Sequence, residues 1–401
     1  MVTNAPRKAG RHFLQIPGPT NVPDRVLRAI DRPPIDHRGP EFGRMTLSIF
    51  ERLKLIFKTK DHVFIYAASG TGAWTAALTN TLSPGDRVLM VETGQFAVLW
   101  KTIADKLGLV AELIPTDWRH GADPAAIEAR LREDKAHGIK AVCVVHNETS
   151  TGCVSQIDAV RRAIDRAGHP ALLMVDSISG LGALPYAHDA WGVDVSISGS
   201  QKGLMMPPGL SFTAVSQKAM AAHAKAKLPR TYWDWSDMAP HNAKGYFPFT
   251  PATNMLYGLD TAMDMLLEEG LEHVFSRHAR HGIATRAAVK AWGLEILCAN
   301  PTDVSNAVTA IMVPQEHNAD SLRALILDRF DMSLGMGLGR LAGRVFRIAH
   351  LGDLNDLTLL GALSGVEMGL ALSGIPHKAG GVQAAMASLA DAARQSPRSQ
   401  H

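Results

Sequence analysis

The run Val193-Asp194-Val195-Ser196-Ile197-Ser198-Gly199-Ser200-Gln201-Lys202-Gly203 decides how the chain is read. Val193 to Ile197 is short and rich in β-branched residues, the pattern of a buried strand. Ser198 to Gly203 is a tight turn of small and polar residues. The following Leu204-Met205-Met206-Pro207-Pro208-Gly209 can continue neither a helix nor an interior strand. Lys202 therefore stands just past a strand end. Held there and partly desolvated, its amine would have a lowered pKa and could act as a nucleophile, forming a Schiff base. Taken alone, the segment fits a surface lysine on a polar loop equally well.

The same pattern repeats outward from this run. Apolar stretches at 62–66, 86–91, 110–114, 140–145, 171–175 and 210–215 read as strands. Helical stretches follow at 73–82, after Phe96, from Asp123-Pro124 and at 157–167. Strands alternating with helices predict crossover units and a mainly parallel, buried sheet. Residues 14–23 and 33–40 read as irregular, with Asp24 capping a helix to Ile30 between them. Residues 229–251, holding Tyr232, Trp233, Trp235, Tyr246, Phe247 and Phe249, read as a long irregular connection of the kind that carries function or an interface. Helical periodicity returns at 255–267 and 271–292. Strands at 294–297, 307–312 and 344–349, with helices at 320–330 and from Asn355, predict a small α+β unit. From Gly380 the chain is Ala/Ser/Gln-rich, with a frayed end expected.

Composition narrows the class. A chain of 401 residues is too long for one small core, so two domains are expected. Hydrophobic residues at 46% and charged residues at 20% are ordinary for a soluble globular protein. A net charge of +3 without a long basic run argues against nucleic acid and membrane surfaces as partners. Cys143, Cys153 and Cys298 are odd in number and far apart. They form no disulfide framework and no metal-ligand spacing, which fits a reducing cytoplasm and no metal site. No apolar run approaches the ~20 residues of a membrane-spanning helix. Met1 to Arg11 lacks the apolar stretch of a secretory signal.

In an open α/β sheet, ligands gather outside the carboxyl ends of the strands. Ser69-Gly70-Thr71-Gly72, Thr149, Asp176 and Gln201-Lys202 all fall at such ends. Glycines and free amides at a helix start suit a phosphate, although an ordinary capped helix start has the same look. Thr149 alone is a solvated turn hydroxyl. Asp176, closing an apolar strand, needs a partner such as a cationic heterocyclic nitrogen, or else caps the next element. Phe96 could cover a flat ring or simply join the core. Arg347, inside Val345-Phe346-Arg347-Ile348-Ala349, has the fork that grips a carboxylate, or points outward from a half-exposed strand.

Jointly these residues resemble the class-V family of pyridoxal-phosphate aminotransferases, with the nearest pattern among the bacterial serine–glyoxylate and related aspartate–glyoxylate enzymes. The likeness runs from about Pro17 to Leu372. It rests on Pro17-Gly18-Pro19-Thr20-Asn21, Asp36-His37-Arg38, Ser69-Gly70-Thr71-Gly72, His146-Asn147-Glu148-Thr149, Val175-Asp176-Ser177, Gly199-Ser200-Gln201-Lys202-Gly203, Gly245-Tyr246-Phe247-Pro248-Phe249-Thr250-Pro251 and Val345-Phe346-Arg347-Ile348.

The resemblance implies fold type I, the aspartate-aminotransferase-like α/β architecture with a large, mostly parallel seven-stranded sheet domain and a smaller α+β C-terminal domain. The division expected is an N-terminal irregular segment near the site (1–35), a large cofactor-binding domain (36–268), a small domain (269–378) and a tail (379–401). It implies that Lys202 carries the pyridoxal phosphate, that Asp176 keeps the pyridine nitrogen protonated, and that Thr149 lies near the phenolic oxygen. Phosphate contacts would come from Ser69, Gly70, Thr71 and Gln201, and across a homodimer interface from Thr250 and Tyr246 or Phe247. Phe96 would stack on the ring, and Arg347 would clamp the substrate α-carboxylate.

The implied reaction is amino transfer from L-serine to glyoxylate, with aspartate or alanine as alternative donors. A lyase or desulfurase on the same scaffold is the alternative from another class. A desulfurase would need a mobile cysteine, and none of the three falls in a suitable loop.

Overall fold

The computed structural model describes residues 9–395. Expectations for the first eight residues and for the last six lie outside the described residues. The strands, in chain order, are β1 (Phe13–Gln15), β2 (His62–Tyr66), β3 (Arg87–Val91), β4 (Val110–Ile114), β5 (Ile139–Val145), β6 (Asn147–Glu148), β7 (Cys153–Val154), β8 (Leu172–Asp176), β9 (Val195–Gly199), β10 (Ser211–Val215), β11 (Glu295–Ile296), β12 (Val308–Met312), β13 (Met332–Met336) and β14 (Val345–Ala349).

Seven of them form one sheet in the order β2-β10-β9-β8-β5-β3-β4. Only β10 runs against its neighbours. The carboxyl ends of β2, β3, β5, β8 and β9 therefore open along one edge. Helices cover both faces, and this is why the strands read as nearly continuous apolar runs. Alternation along β5 divides the packing. Val142 and Val144 join one core with Phe42, Leu53 and Leu259, while Ala141 and Cys143 join the other with Trp74, Trp100 and Ile197.

A five-stranded sheet, β1-β13-β14-β12-β11, is built from four strands of the second half of the chain with β1 at its edge. Its core holds Trp292, Phe346, Ile348, Leu363 and Val366. The helix Asp356–Ser373 has a mean hydropathy of 1.2 and is, by length and composition, apolar enough to cross a membrane, although the sequence reading found no run approaching that length. Its Leu359, Leu363, Val366 and Leu370 pack into this second core.

Other elements depart from the sequence reading in ways that packing explains. The stretch 14–23, read as irregular, begins in β1, because Phe13–Gln15 borrows the open edge of β13 in parallel register. The helix Pro40–Phe57 was not anticipated. It buries Phe42, Ile49, Phe50, Leu53, Ile56 and Phe57 at helical spacing. The helix near Asp24 starts from Pro23, and Asp24 makes no side-chain cap. Within the aromatic connection lies a helix, Trp235–Asn242, despite Pro240. The Asp234 carboxylate caps it at Ser236 N (2.8 Å). The buried Trp235 stacks on Phe64 with centroids 5.4 Å apart and donates to Tyr66 Oη (2.7 Å). Residues 381–395, read as part of a tail, form a helix that places Ala385 and Leu389 in the second core.

Candidate active site

Each carboxyl end along the open sheet edge feeds a turn. The turns after β2, β3, β5, β8 and β9 enclose a cleft of ≈ 480 Å³ lined by Ser69, Gly70, Thr71, Trp74, Phe96, Val145, Asn147, Thr149, Asp176, Ile178, Gln201 and Lys202. Eight residues singled out in the sequence meet there: Ser69, Gly70, Thr71, Phe96, Thr149, Asp176, Gln201 and Lys202.

The turn after β2 opens the helix Gly70–Thr81. The amides of Gly70 and Thr71 have no partner among the described residues, as the first amides of any helix lack an internal one. Glycine at 70 lets Ile178 pack close, since a Cβ there would come within 2.4 Å of Ile178 Cδ1 and push that side chain aside. Bare amides and a helix N-terminus form a cradle suited to an anion, and Gln201, whose Oε1 is buried without a partner, lines the same cleft with an Nε2 donor to offer.

Asp176 closes β8 and is 4% exposed. Its Oδ1 accepts from Ile178 N (2.8 Å) and its Oδ2 from Trp74 Nε1 (2.9 Å). Burial nevertheless pushes its carboxyl up to about 7, against these two hydrogen bonds and with help from the nearby Glu148 charge. An acid so placed is stabilised by a cation brought into the cleft.

Lys202 follows β9. Its Nζ donates to the Pro17 carbonyl (2.5 Å). Thr20 N and Oγ1 donate in turn to the carbonyls of Gln201 (3.1 Å) and Lys202 (3.2 Å). The stretch 17–20 thus straps the lysine turn, and Gly18, with φ +120°, leaves no room for a Cβ beside Nζ. Burial lowers the amine to about 8, the Arg347 charge adds to the fall, and Asp176 partly opposes it.

Thr149 lies in the hairpin after β5. Its hydroxyl donates to Ser179 Oγ (2.6 Å), which donates to Asn147 O (2.8 Å). Glu148, fully buried, accepts from Phe96 N (3.4 Å) and Ala97 N (3.3 Å), the first turn of the helix that carries Phe96 into the cleft. Arg347 reaches this hairpin from β14. It is 5% exposed, not outward-facing. Nη1 donates to Thr149 O (2.7 Å) and Nε to Met336 O (2.8 Å).

Tyr246 and Thr250 do not line this cleft. The Tyr246 hydroxyl lies against Gly43 and 3.5 Å from Gly39 O. Thr250 is exposed at a separate apolar pocket with Phe247, Phe249 and Tyr232. The sequence reading missed Trp74, Asn147, Ile178 and the Pro17 carbonyl. An interior helical tryptophan and a backbone carbonyl carry no signal in a sequence, whereas the asparagine stood inside a motif already noted.

The model of the class-V aminotransferase family matches residues 12–336. The chain is 50% identical over 392 residues to a serine–glyoxylate aminotransferase of Methylorubrum extorquens, covering 96% of this chain and 98% of that one. It is 45% identical over 372 residues to an L-aspartate–glyoxylate aminotransferase of Paracoccus denitrificans, with 92% and 94% covered. The ureidoglycine–glyoxylate aminotransferase structure from Bacillus subtilis superposes with a TM-score of 0.88 at 28% identity, covering 95% of this chain and 99% of that one. The anion cradle, the buried acid and the half-buried amine on one cleft fit pyridoxal phosphate, the cofactor of this fold. The chain belongs to the class-V aminotransferases, enzymes of pyridoxal-phosphate fold type I.

Proposed function

We propose that the chain transfers the amino group of L-serine to glyoxylate, giving hydroxypyruvate and glycine. The observation that carries the reading is the meeting of Lys202, Asp176 and the Ser69–Thr71 turn on one cleft, with the Arg347 guanidinium at the hairpin beside it. Two of the relatives above support the acceptor, since both are named for glyoxylate.

Ser69, Gly70, Thr71 and Gln201 would hold the phosphate of the cofactor, and Phe96 would cover its ring. The Thr149 hydroxyl would lie near the phenolic oxygen, donating there only by turning from Ser179 Oγ, and Asp176 would hold a proton at the ring nitrogen. Bound pyridoxal phosphate supplies an electron sink for the bonds at the substrate Cα. Lys202 would bind the cofactor and, once displaced by substrate, move a proton at Cα as a free base. Arg347 would grip the α-carboxylate and so fix which Cα bond faces the sink.

The arginines support a donor with a short, uncharged side chain. Arg230 is occupied by His223 and the Ala226 carbonyl. Arg340 lies over the Trp118 ring (4.2 Å) and donates to Thr116 O. Arg38 is exposed. Within one chain none of them joins Arg347 at the cleft to meet a second carboxylate. The aspartate-named relative keeps that donor as the second reading. All three cysteines are buried, which is unsuited to the mobile nucleophile of a desulfurase. Those free thiols also fit a reducing cytoplasm.

On this reading the enzyme works as a homodimer. Thr250 and Tyr246, turned away from their own cleft, would complete the partner's phosphate site. The unit 36–268 would carry the cofactor, and 269–378 would supply Arg347. Incubating the purified protein with glyoxylate and a panel of amino acids, and scoring glycine, tests the assignment. Serine should give the fastest formation. Faster turnover with aspartate would favour the second reading, and no glycine from any donor would overturn both.

A further inference from the structure

We infer that Trp74 is a positioning residue: its indole N–H fixes the orientation of the Asp176 carboxylate and ties it to the helix start that forms the anion cradle. The inference rests on the reading in which Asp176 faces the cofactor ring nitrogen, and it adds what holds that acid in place.

Trp74 is 2% exposed and stacks on Trp100, with centroids 5.9 Å apart and planes 12° from parallel. Trp100 is equally buried, yet its Nε1 has no hydrogen-bond partner among the described residues. Of two stacked indoles, one only packs and the other aims its N–H at Asp176 Oδ2 at 2.9 Å. That donor complements the Ile178 amide on Oδ1 at 2.8 Å. A rotation of the carboxylate would break both bonds, and each oxygen keeps lone pairs for a cation in the cleft.

Two independent routes then join the acid to the anion cradle. Trp74 stands four residues after Gly70 on the same rigid helix, a rise of about 6 Å. Ile178, which holds the other oxygen, packs against Gly70 so closely that a Cβ there would meet its Cδ1 at 2.4 Å. The helix Gly70–Thr81 thereby sets the spacing between the group that would hold a phosphate and the acid that would hold the ring nitrogen.

Trp74→Phe keeps a stacked ring but loses the N–H together with part of the indole's volume, and Trp100→Phe, which loses the same volume and no hydrogen bond, is its matched control. Both full-length variants are titrated with pyridoxal phosphate, and the visible absorbance of the bound cofactor is followed against pH. Trp74→Phe should bind the cofactor about tenfold more weakly, the effect of losing one hydrogen bond to a charged acceptor, and its absorbance midpoint should move. Trp100→Phe should change neither. An unmoved affinity and midpoint in Trp74→Phe, or equal losses in both variants, would overturn the inference.

Should Trp74→Phe fail to fold, the indole N–H resonances of the unmodified protein decide the matter. One of them should shift on Asp176→Asn, and if none does the contact is refuted. Failure of the unmodified protein to take up pyridoxal phosphate would overturn the underlying assignment, while the indole measurement would still judge the contact between Trp74 and Asp176.

Discussion

At Lys202 two forces lower the affinity of one amine for its proton. Burial removes water, and the Arg347 charge repels the ammonium, so the amine falls to about 8 while Asp176 partly opposes the change. Only the neutral amine attacks a carbonyl. Uptake of pyridoxal phosphate by the cofactor-free protein should therefore quicken from pH 6.5 to 9 with a midpoint near 8, as followed by stopped-flow absorbance. A rate independent of pH would argue against Lys202 as the site of attachment. Lys202→Ala should fold and show no turnover. Arg347→Ala should raise the apparent KM for amino-acid donors by about 100-fold with the far-ultraviolet circular dichroism unchanged, since it removes a buried charge that would pair with a carboxylate. An unchanged KM would reject the clamp. Lys202, Asp176 and Arg347 were legible in the sequence because each is costly where it stands: a lysine in a small-residue turn, an acid closing an apolar strand, an arginine inside a strand. Trp74 was not, because a tryptophan at helical spacing reads as core, and core is part of what it does.

Among the elements, length decided what could be read ahead of the structure. The strands of the large sheet announced themselves as apolar runs because most are buried on both faces, and the edge strand β4, exposed or half-buried along its length, still shows its apolar run. The helix Leu271–Trp292 has the bounds expected from its periodicity. β1 and the two-residue β6 and β7 have too few residues to show any period; β1 exists because the edge of β13 accepts it, and β6 and β7 because they pair with each other. The helix Gly381–Gln395 was hidden by its Ala/Ser composition. Its start is held by Glu367, which accepts from Gly380 N (2.6 Å), Val382 N (2.9 Å) and Trp292 Nε1 (3.1 Å). Glu367→Ala removes all three bonds. It should destabilise the helix start by roughly 2–3 kcal/mol and speed proteolytic cleavage near Gly374 to Gly380. Cleavage as slow as in the unaltered chain would show that apolar packing alone secures this helix.

For the whole molecule, the balance of buried titratable groups sets the dependence of stability on pH. Burial pushes His146 and His188 down to about 4, His278 to about 3 and His350 well below its ordinary value. These rings stay neutral in the folded state while the unfolded chain binds their protons below about 6.5. Asp176 and Glu148, both raised by burial, act the other way, because the folded state holds their protons first. His169, His223 and His281 are lowered as well and Asp353 is raised, so depressed imidazoles outnumber raised carboxyls and the unfolded state binds more protons. Stability should therefore fall as pH drops from 6.5 to 5, by about 1.4 kcal/mol per pH unit for each net proton. Urea midpoints of the cofactor-free protein across that range check the sign, and a flat or rising midpoint on acidification would contradict it. The layered α/β plan was readable from the alternation of strands and helices. The seating of Arg347 on the Thr149 carbonyl was not, because nothing local in either segment encodes a contact between residues 198 apart.

That seating constrains anyone who would retool the scaffold for amines without a carboxyl group. Exchanging the guanidinium for an apolar side chain would enlarge the entrance and also strand a backbone oxygen in a dry interior. A workable redesign must bring a replacement donor for the hairpin together with the new specificity, so two positions have to change in concert.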